Sequence, residues 1–250
     1  MSRFNPFVFF SILMMLPMDI SNADEGLGGN IITAPVSTPS AAWHLSQTFR
    51  PPNRGAPPQS VGGATRSGCV EEADSLLALT PSTTLGLTTS EHPSFFWYVP
   101  ATTAQTAEIL IRDLQENEIY RSITPIPTSG IVSFTLPENS TALEVGQTYE
   151  WFFSLICQPD DRSQDVFVSA GIQRVEVPVE LATQLEQASL SDRSHLYAAN
   201  GIWHDTFAIL LELRRSQPSD ATLISDWEEL LNSAGLSQVV DKPLSTDLLR

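Results

Sequence analysis

Between Leu76 and Val177 the sequence breaks into seven short segments of alternating apolar character, at 76–79, 95–99, 107–113, 118–122, 131–136, 148–157 and 166–177, with turn residues between them. A period of two sends successive side chains to opposite faces of a strand, so each segment has one face to bury and one to leave in water. Strands of this kind at this spacing close into two layers around a shared core. The sixth segment carries the strongest pattern: Tyr149, Trp151, Phe153, Leu155 and Cys157 share one face. Ala170-Gly171 inside the seventh predicts a bulge, because glycine weakens a regular ladder.

Just ahead of the sixth segment, Leu143-x-x-Gly146-x-x-Tyr149 resembles the tyrosine corner of fibronectin type III domains, in which a tyrosine hydroxyl ties the preceding loop to its strand. From Val179 onward the period becomes helical. Leu190, Tyr197, Gly201, Trp203, Thr206, Leu210, Leu213 and Pro218 fall at the offsets of one tetratricopeptide-like (TPR-like) repeat, with Gly201 in its turn. A generic helical hairpin fits equally well. A further helix, 221–234, ends at Gly235. One such repeat cannot cover its own apolar face, so the helices are expected to pack on the strands. The predicted fold class is α+β: an antiparallel immunoglobulin/fibronectin-III-like β-sandwich over 69–178, followed by a helical segment over 179–250.

The amino terminus reads as a signal peptide over 1–23. Arg3 precedes an apolar run, and Ser21-Asn22-Ala23 is a small-x-small cleavage pattern. The run is interrupted by Pro17 and Asp19 and falls short of the roughly 20 residues a membrane span needs. An exported chain, periplasmic or secreted, without stable membrane insertion after signal removal, is the expectation. Residues 24–68 are rich in Pro, Gly and Ser and lack any apolar period, which predicts a disordered linker. This arm holds three arginines against two acids, whereas the whole chain has 29 acids against 13 bases and a formal net charge of -16. That excess opposes binding to nucleic acid or anionic lipid through bulk charge. Within the arm, Arg54, Gly62, Gly63 and Arg66 have the composition of an anion cradle. No Gly-Lys-Ser/Thr follows, and a plain linker is the competing reading.

Catalytic patterns are weak. His44, His92, His195 and His204 lie in no zinc-protease or nucleophile-elbow context. Asp160-Asp161-x-x-x-Asp165 and Glu71-Glu72-x-Asp74 gather carboxylates without calcium-loop spacing, and Arg162 is expected to answer the former. No metal and no cofactor are predicted. The two cysteines, Cys69 and Cys157, are expected to form a disulfide, an even count in an exported chain. Two isolated thiols are the alternative; a nucleophilic Cys157 has no histidine near it in sequence.

Several motifs together are similar to the cyanobacterial domain-of-unknown-function family 928. They are Gly62-Gly63-Ala64-Thr65-Arg66 before Cys69, Pro93-x-x-Phe96-Trp97-Tyr98-Val99-Pro100, Leu143-x-x-Gly146-x-x-Tyr149-x-Trp151-x-Phe153-x-Leu155-x-Cys157, Asp161-Arg162-Ser163-x-Asp165, Gln173-Arg174-Val175 and Tyr197-Ala198-x-x-Gly201-Ile202-Trp203-x-Asp205. The resemblance implies an exported protein and brings no catalytic residues. Two functions compete. One is a non-enzymatic interaction or scaffold module that binds a protein partner around Tyr197, Trp203, Phe207 and Trp227, since aromatic residues dominate interface hot spots; the competing reading is that all four are core between strands and helices, which composition favours more for Trp203 and Phe207 than for Trp227. The other is a hydrolase or carbohydrate-binding protein using Asp161, Asp165 or Glu150 in a site between strands and helices.

Overall fold

The computed structural model describes residues 47–52, 69–70, 75–126 and 129–249. Its strands, in chain order, are β1 (Leu77–Ala78), β2 (Gly86–Thr88), β3 (Ser94–Val99), β4 (Thr106–Asp113), β5 (Glu118–Pro125), β6 (Gly130–Thr135), β7 (Thr148–Ile156), β8 (Val166–Arg174) and β9 (Leu244–Leu249). The helices α1 (Val179–Gln187), α2 (Leu190–Ala199), α3 (Trp203–Ser216) and α4 (Ala221–Ser233) lie between β8 and β9. The chain is therefore α+β, with two mixed sheets ordered β1-β3-β6-β9 and β2-β8-β7-β4-β5.

Alternation explains the core. Ala107, Ile109 and Ile111 of β4, Tyr149, Trp151, Phe153 and Leu155 of β7, and Val168, Ala170 and Ile172 of β8 face Phe95, Trp97, Val99, Val132 and Phe134 of the other sheet. Trp97 stacks on Phe153 at 4.4 Å between centroids and meets Trp151 edge-on at 5.6 Å, so aromatic contacts join the layers. Strand β3 is buried on both faces, because Phe96 and Tyr98 point away from this core and into a second one shared with the helices. That second core places Trp203, Phe207, Leu210, Leu230 and Leu231 over the outer side of the four-stranded sheet.

The structure corrects the sequence at four points. The strands are not all antiparallel: β2 runs parallel to β8 and β9 parallel to β6. Both strands were absent from the sequence reading, since β2 is too short to show a period and β9 follows the helices and returns to the sheet. The expected bulge at Ala170-Gly171 does not form; Ala170 and Gly171 pair in continuous register with Trp151 and Glu150. The irregularity sits instead between Ile111 and Arg112, opposite β5. Finally, α1 adds a helix ahead of the hairpin, buried only through Leu181.

The tyrosine tie forms: the Tyr149 hydroxyl accepts from the Glu144 N–H at 2.9 Å. Ser189 caps α2 by accepting from the Asp192 N–H, and Asp220 caps α4 by accepting from Thr222 and Leu223, each satisfying helix donors that would otherwise lack partners. Residues 47–52 fall in a stretch that composition assigns to the linker, yet they lie along the helices. Phe49 is buried edge-on against Trp203 at 5.1 Å, and the Arg50 N–H donates to the Ala198 carbonyl at 3.1 Å. Gly201, at φ +71°, lets this segment pass: a Cβ there would come within 2.7 Å of the Arg50 carbonyl. The rest of the arm and the signal segment lie outside the described residues.

Cys69 and Cys157 are joined as a disulfide, with Cα atoms 5.5 Å apart and a sequence separation of 88. Closing so long a loop restricts the unfolded chain, and reduction is expected to lower the unfolding free energy by about 4–5 kcal/mol on the chain-entropy account. Urea unfolding with and without reductant measures this. Thiol titration of denatured, unreduced protein should find no free thiol, and two titratable thiols would contradict the bridge.

Candidate functional site

The helices meet the sheets along a seam that begins at α3. Asp205, in its first turn, accepts hydrogen bonds from Thr88 Oγ1 at 2.8 Å, the Thr89 N–H at 3.1 Å and the Thr89 hydroxyl. Burial raises its pKa, and the Thr89 and Thr88 bonds oppose that rise. The carboxylate is thus fully engaged as a clamp between α3 and the end of β2. Tyr197 of α2 lines a cleft of about 210 Å³ beside Asp205, Ser90 and His92. Burial raises the Tyr197 pKa, and a side-chain bond with Thr89 opposes the rise.

His204 is interior. Its Nδ1–H donates to the Ser94 carbonyl at 2.8 Å, which leaves Nε2 as a bare acceptor with no hydrogen-bond partner. The ring fits because residue 86 is glycine; a Cβ there would lie 2.5 Å from Nε2. Burial lowers its pKa to about 4, partly offset by the Ser94 bond, so the imidazole stays neutral at physiological pH. His195 lies on α2 with Nε2 3.2 Å from Asp226 Oδ2 of α4, and does not meet His204 as a ligand pair. Among the described residues no three His, Cys, Asp or Glu side chains gather to hold a metal ion.

The carboxylates of the hydrolase alternative lie elsewhere. Glu150 alternates with the inward Tyr149 and Trp151, so it points to the outer face of the five-stranded sheet, where Arg112 donates to it through Nη2 at 2.8 Å and Nε at 3.1 Å. Arg162 bridges Asp165 and Glu108, and Glu108 also receives Arg121. Asp161 caps a short 3-10 turn by accepting from Ser163, and those bonds lower its pKa. A carboxylate site between strands and helices is therefore not built from these residues; the helices cover the other sheet.

Of the expected partner-binding aromatics, Trp203 and Phe207 are fully buried and Trp227 is 2% exposed. They form a ladder with Phe207 5.4 Å from Trp203 and 5.1 Å from Trp227, and the Trp203 Nε1–H donates to the Leu79 carbonyl at 2.9 Å. Their burial has a simple cause: apolar side chains that need covering are covered by the sheet. Tyr197 alone keeps partial exposure. Arg54, Gly62, Gly63, Arg66 and His44 lie outside the described residues.

Trp227 nevertheless borders an open cleft of about 550 Å³, bounded by the end of α3, by α4 and by residues 240–244. Arg214, Arg215 and Lys242 reach it, alongside Ile224 and Val240. Arg215 donates to Ser133 Oγ at 3.1 Å and to the Ile131 carbonyl at 3.4 Å, and Arg214 donates to the Pro218 carbonyl at 2.9 Å. These acceptors are neutral. Neither guanidinium is within ion-pair distance of a carboxylate among the described residues, and both Nε atoms are buried without a partner. Burial pushes the Arg215 pKa down. Sequence reasoning missed this pair, because two bases in the last turn of a helix read as ordinary complements to its dipole. The available signal was adjacency, since Arg214-Arg215 is the one place where two bases are consecutive.

The sequence model of the family described as Domain of Unknown Function (DUF928) matches residues 61–244. No curated protein and no solved structure matches the chain.

His204 sets the sign of one pH response. Its folded pKa, about 4, lies below the ordinary 6.5, so its contribution to stability is complete above pH 6.5 and is lost as pH falls toward 4. Its size is about 3 kcal/mol at 1.36 kcal/mol per pKa unit. Asp205, with a raised pKa, contributes in the opposite sense, losing stability as pH rises through its folded value. His204→Asn, which keeps a donor for Ser94 and does not titrate, should therefore be less stable than the parent at pH 7 and show a shallower loss between pH 6.5 and 4. Parallel slopes for the two proteins would refute the assignment. Gly86→Ala should cost about 1–3 kcal/mol by overpacking His204, read by urea unfolding.

Proposed function

The chain belongs to the DUF928 family, and we propose that it is a non-enzymatic interaction module acting outside the cytoplasm. The observation that carries this reading is the cleft beside Trp227, where two arginines have no acidic partner among the described residues while the seam and outer-face groups suited to acid-base chemistry are engaged with their neighbours. His204 sits in the interior and Asp205 clamps two elements together. A fibronectin-III-like sandwich is supported by the Tyr149 tie, and a TPR-like hairpin by the turn at Gly201 between α2 and α3. Both architectures commonly serve binding, which is analogy rather than chemistry. Export is supported by the signal-like start and by the disulfide. Among the described residues no helix is long and apolar enough to cross a membrane.

The test is chemical cross-linking of the tagged full chain in the cells that make it, followed by recovery from the extracytoplasmic fraction, with Arg214→Glu compared against the parent. The parent should capture a defined partner and the variant should lose it. Arg214 gives up one hydrogen bond in the variant, so its thermal midpoint should move by only about 2–4 °C. Equal capture by parent and variant would remove the cleft as the interaction site.

A further inference from the structure

We infer that the cleft beside Trp227 takes an acidic peptide segment of the partner, with one carboxylate side chain seated against Arg214 and Arg215 and apolar neighbours against the cleft wall; this rests on the interaction-module reading above. The first ground is charge. Among the described residues the half-buried Arg215 guanidinium hydrogen-bonds a hydroxyl and a carbonyl and no carboxylate, so it has lost water without gaining an anion from them. The helix dipole supplies roughly half an elementary charge at the end of α3, shared between two arginines, which leaves most of their charge unanswered. A carboxylate placed in the cleft answers it, and arginine binds that group with paired N–H donors.

The second ground is selectivity. A protein with 29 acids and 13 bases repels anionic surfaces at long range. Glu228 and Asp241 stand exposed on the rim of the same cleft and repel a broad polyanion approaching it. A single carboxylate that reaches past the rim is rewarded by the arginines behind it, and its approach needs further attraction. Ile224, Val240, Pro243 and Leu244 offer that attraction to apolar side chains on either side. The cleft volume, about 550 Å³, falls in the range of sites that enclose a small ligand or a few side chains, rather than a broad docking face. Lys242 is held over the Tyr98 ring at 4.6 Å and adds its charge at the same mouth.

Fluorescence anisotropy of a labelled short peptide of alternating Leu and Asp, titrated with the full mature chain, tests this. A peptide of alternating Leu and Asn is the control. Saturable binding of the Asp peptide is expected, weakened about tenfold or more by Arg214→Gln or by Arg215→Gln, and weakened by salt near 1 M, where the screening length is about 3 Å. Arg215→Lys keeps the charge and should retain part of the binding that Arg215→Gln loses. Equal affinity for the Asn peptide, insensitivity to both Gln variants, or no saturation up to about 1 mM overturns the inference. Thermal midpoints identify a variant that fails to fold; if Arg215→Gln does so through its lost bonds to β6, Arg214→Gln decides. If the cross-linked partner depends on Arg214 and the Asp peptide fails, the acidic-segment chemistry falls and the interaction reading survives. If the Asp peptide binds as expected and partner capture is indifferent to Arg214, the interaction reading falls and the ligand chemistry stands.

Discussion

The structure depends on strand β3 being buried from both sides. Phe95, Trp97 and Val99 serve the core between the sheets, while Phe96 and Tyr98 serve the core beneath the helices. A strand with one wet face alternates apolar and polar side chains; this one is an unbroken run, Phe95-Phe96-Trp97-Tyr98-Val99, because neither face meets water. β6 repeats the arrangement beside it, with Val132 and Phe134 turned one way and Ile131 the other. Apolar burial of this kind stabilises by about 1.5–3 kcal/mol per large side chain, so two aromatic strands joining both cores make the layers mutually dependent.

The motif Tyr197-Ala198-x-x-Gly201-Ile202-Trp203-x-Asp205 has a physical task at nearly every named position. Tyr197 bonds to Thr89, and Ala198 accepts the backbone of residue 50. Gly201 leaves room for that segment, Trp203 donates to the Leu79 carbonyl, and Asp205 holds Thr88 and Thr89. Leu143, Gly146 and Tyr149 do similar work at the other end. Arg174 donates to the Leu143 carbonyl, Gln173 donates to the Gly146 carbonyl, and Tyr149 closes the corner. The signature thus marks where helices, loops and sheets are fastened. That accounts for motifs rich in polar and aromatic residues at these junctions.

Legibility followed the physics of each element. Strands β3 to β8 announced themselves through alternation or an uninterrupted apolar run, and α2 to α4 through their helical period, whereas α1, with one buried side chain, carried no such signal. β2 could not, since three residues carry no period, and its parallel partner β8 lies far along the chain. β9 was hidden by position, because helical sequence precedes it and its pairing with β6 is irregular between Ile131 and Ser133. The aromatics of α3 and α4 are legible as important but not as core or as binding surface, because sequence shows that a side chain is apolar and not what covers it. Residues 47–52 are anchored by the buried Phe49 and by Gln47, which donates to the Ser194 hydroxyl, within a stretch whose composition otherwise argues against order. The basic cleft was illegible for a related reason: Arg215 reaches β6, a contact across 84 residues that no local pattern encodes.

Charge placement separates the two sides of the molecule. On the outer face of the five-stranded sheet, Arg112, Arg121 and Arg162 each engage a carboxylate, and Arg112 also lies over the Phe152 ring at 4.6 Å. Those pairs are partly exposed, and each contributes on the order of 0–1 kcal/mol, so they tune the surface more than they hold the fold. With acids in more than twofold excess over bases, a base that remains apart from any acid does so through geometry and not through scarcity. Arg215 is held against β6 by the Ile131 carbonyl and the Ser133 hydroxyl, where neutral groups occupy two of its donors. Among the described residues the fold thereby keeps a half-buried positive charge that no acid pairs with directly, and this is the feature that sets the cleft apart from the ion-paired outer face of the five-stranded sheet.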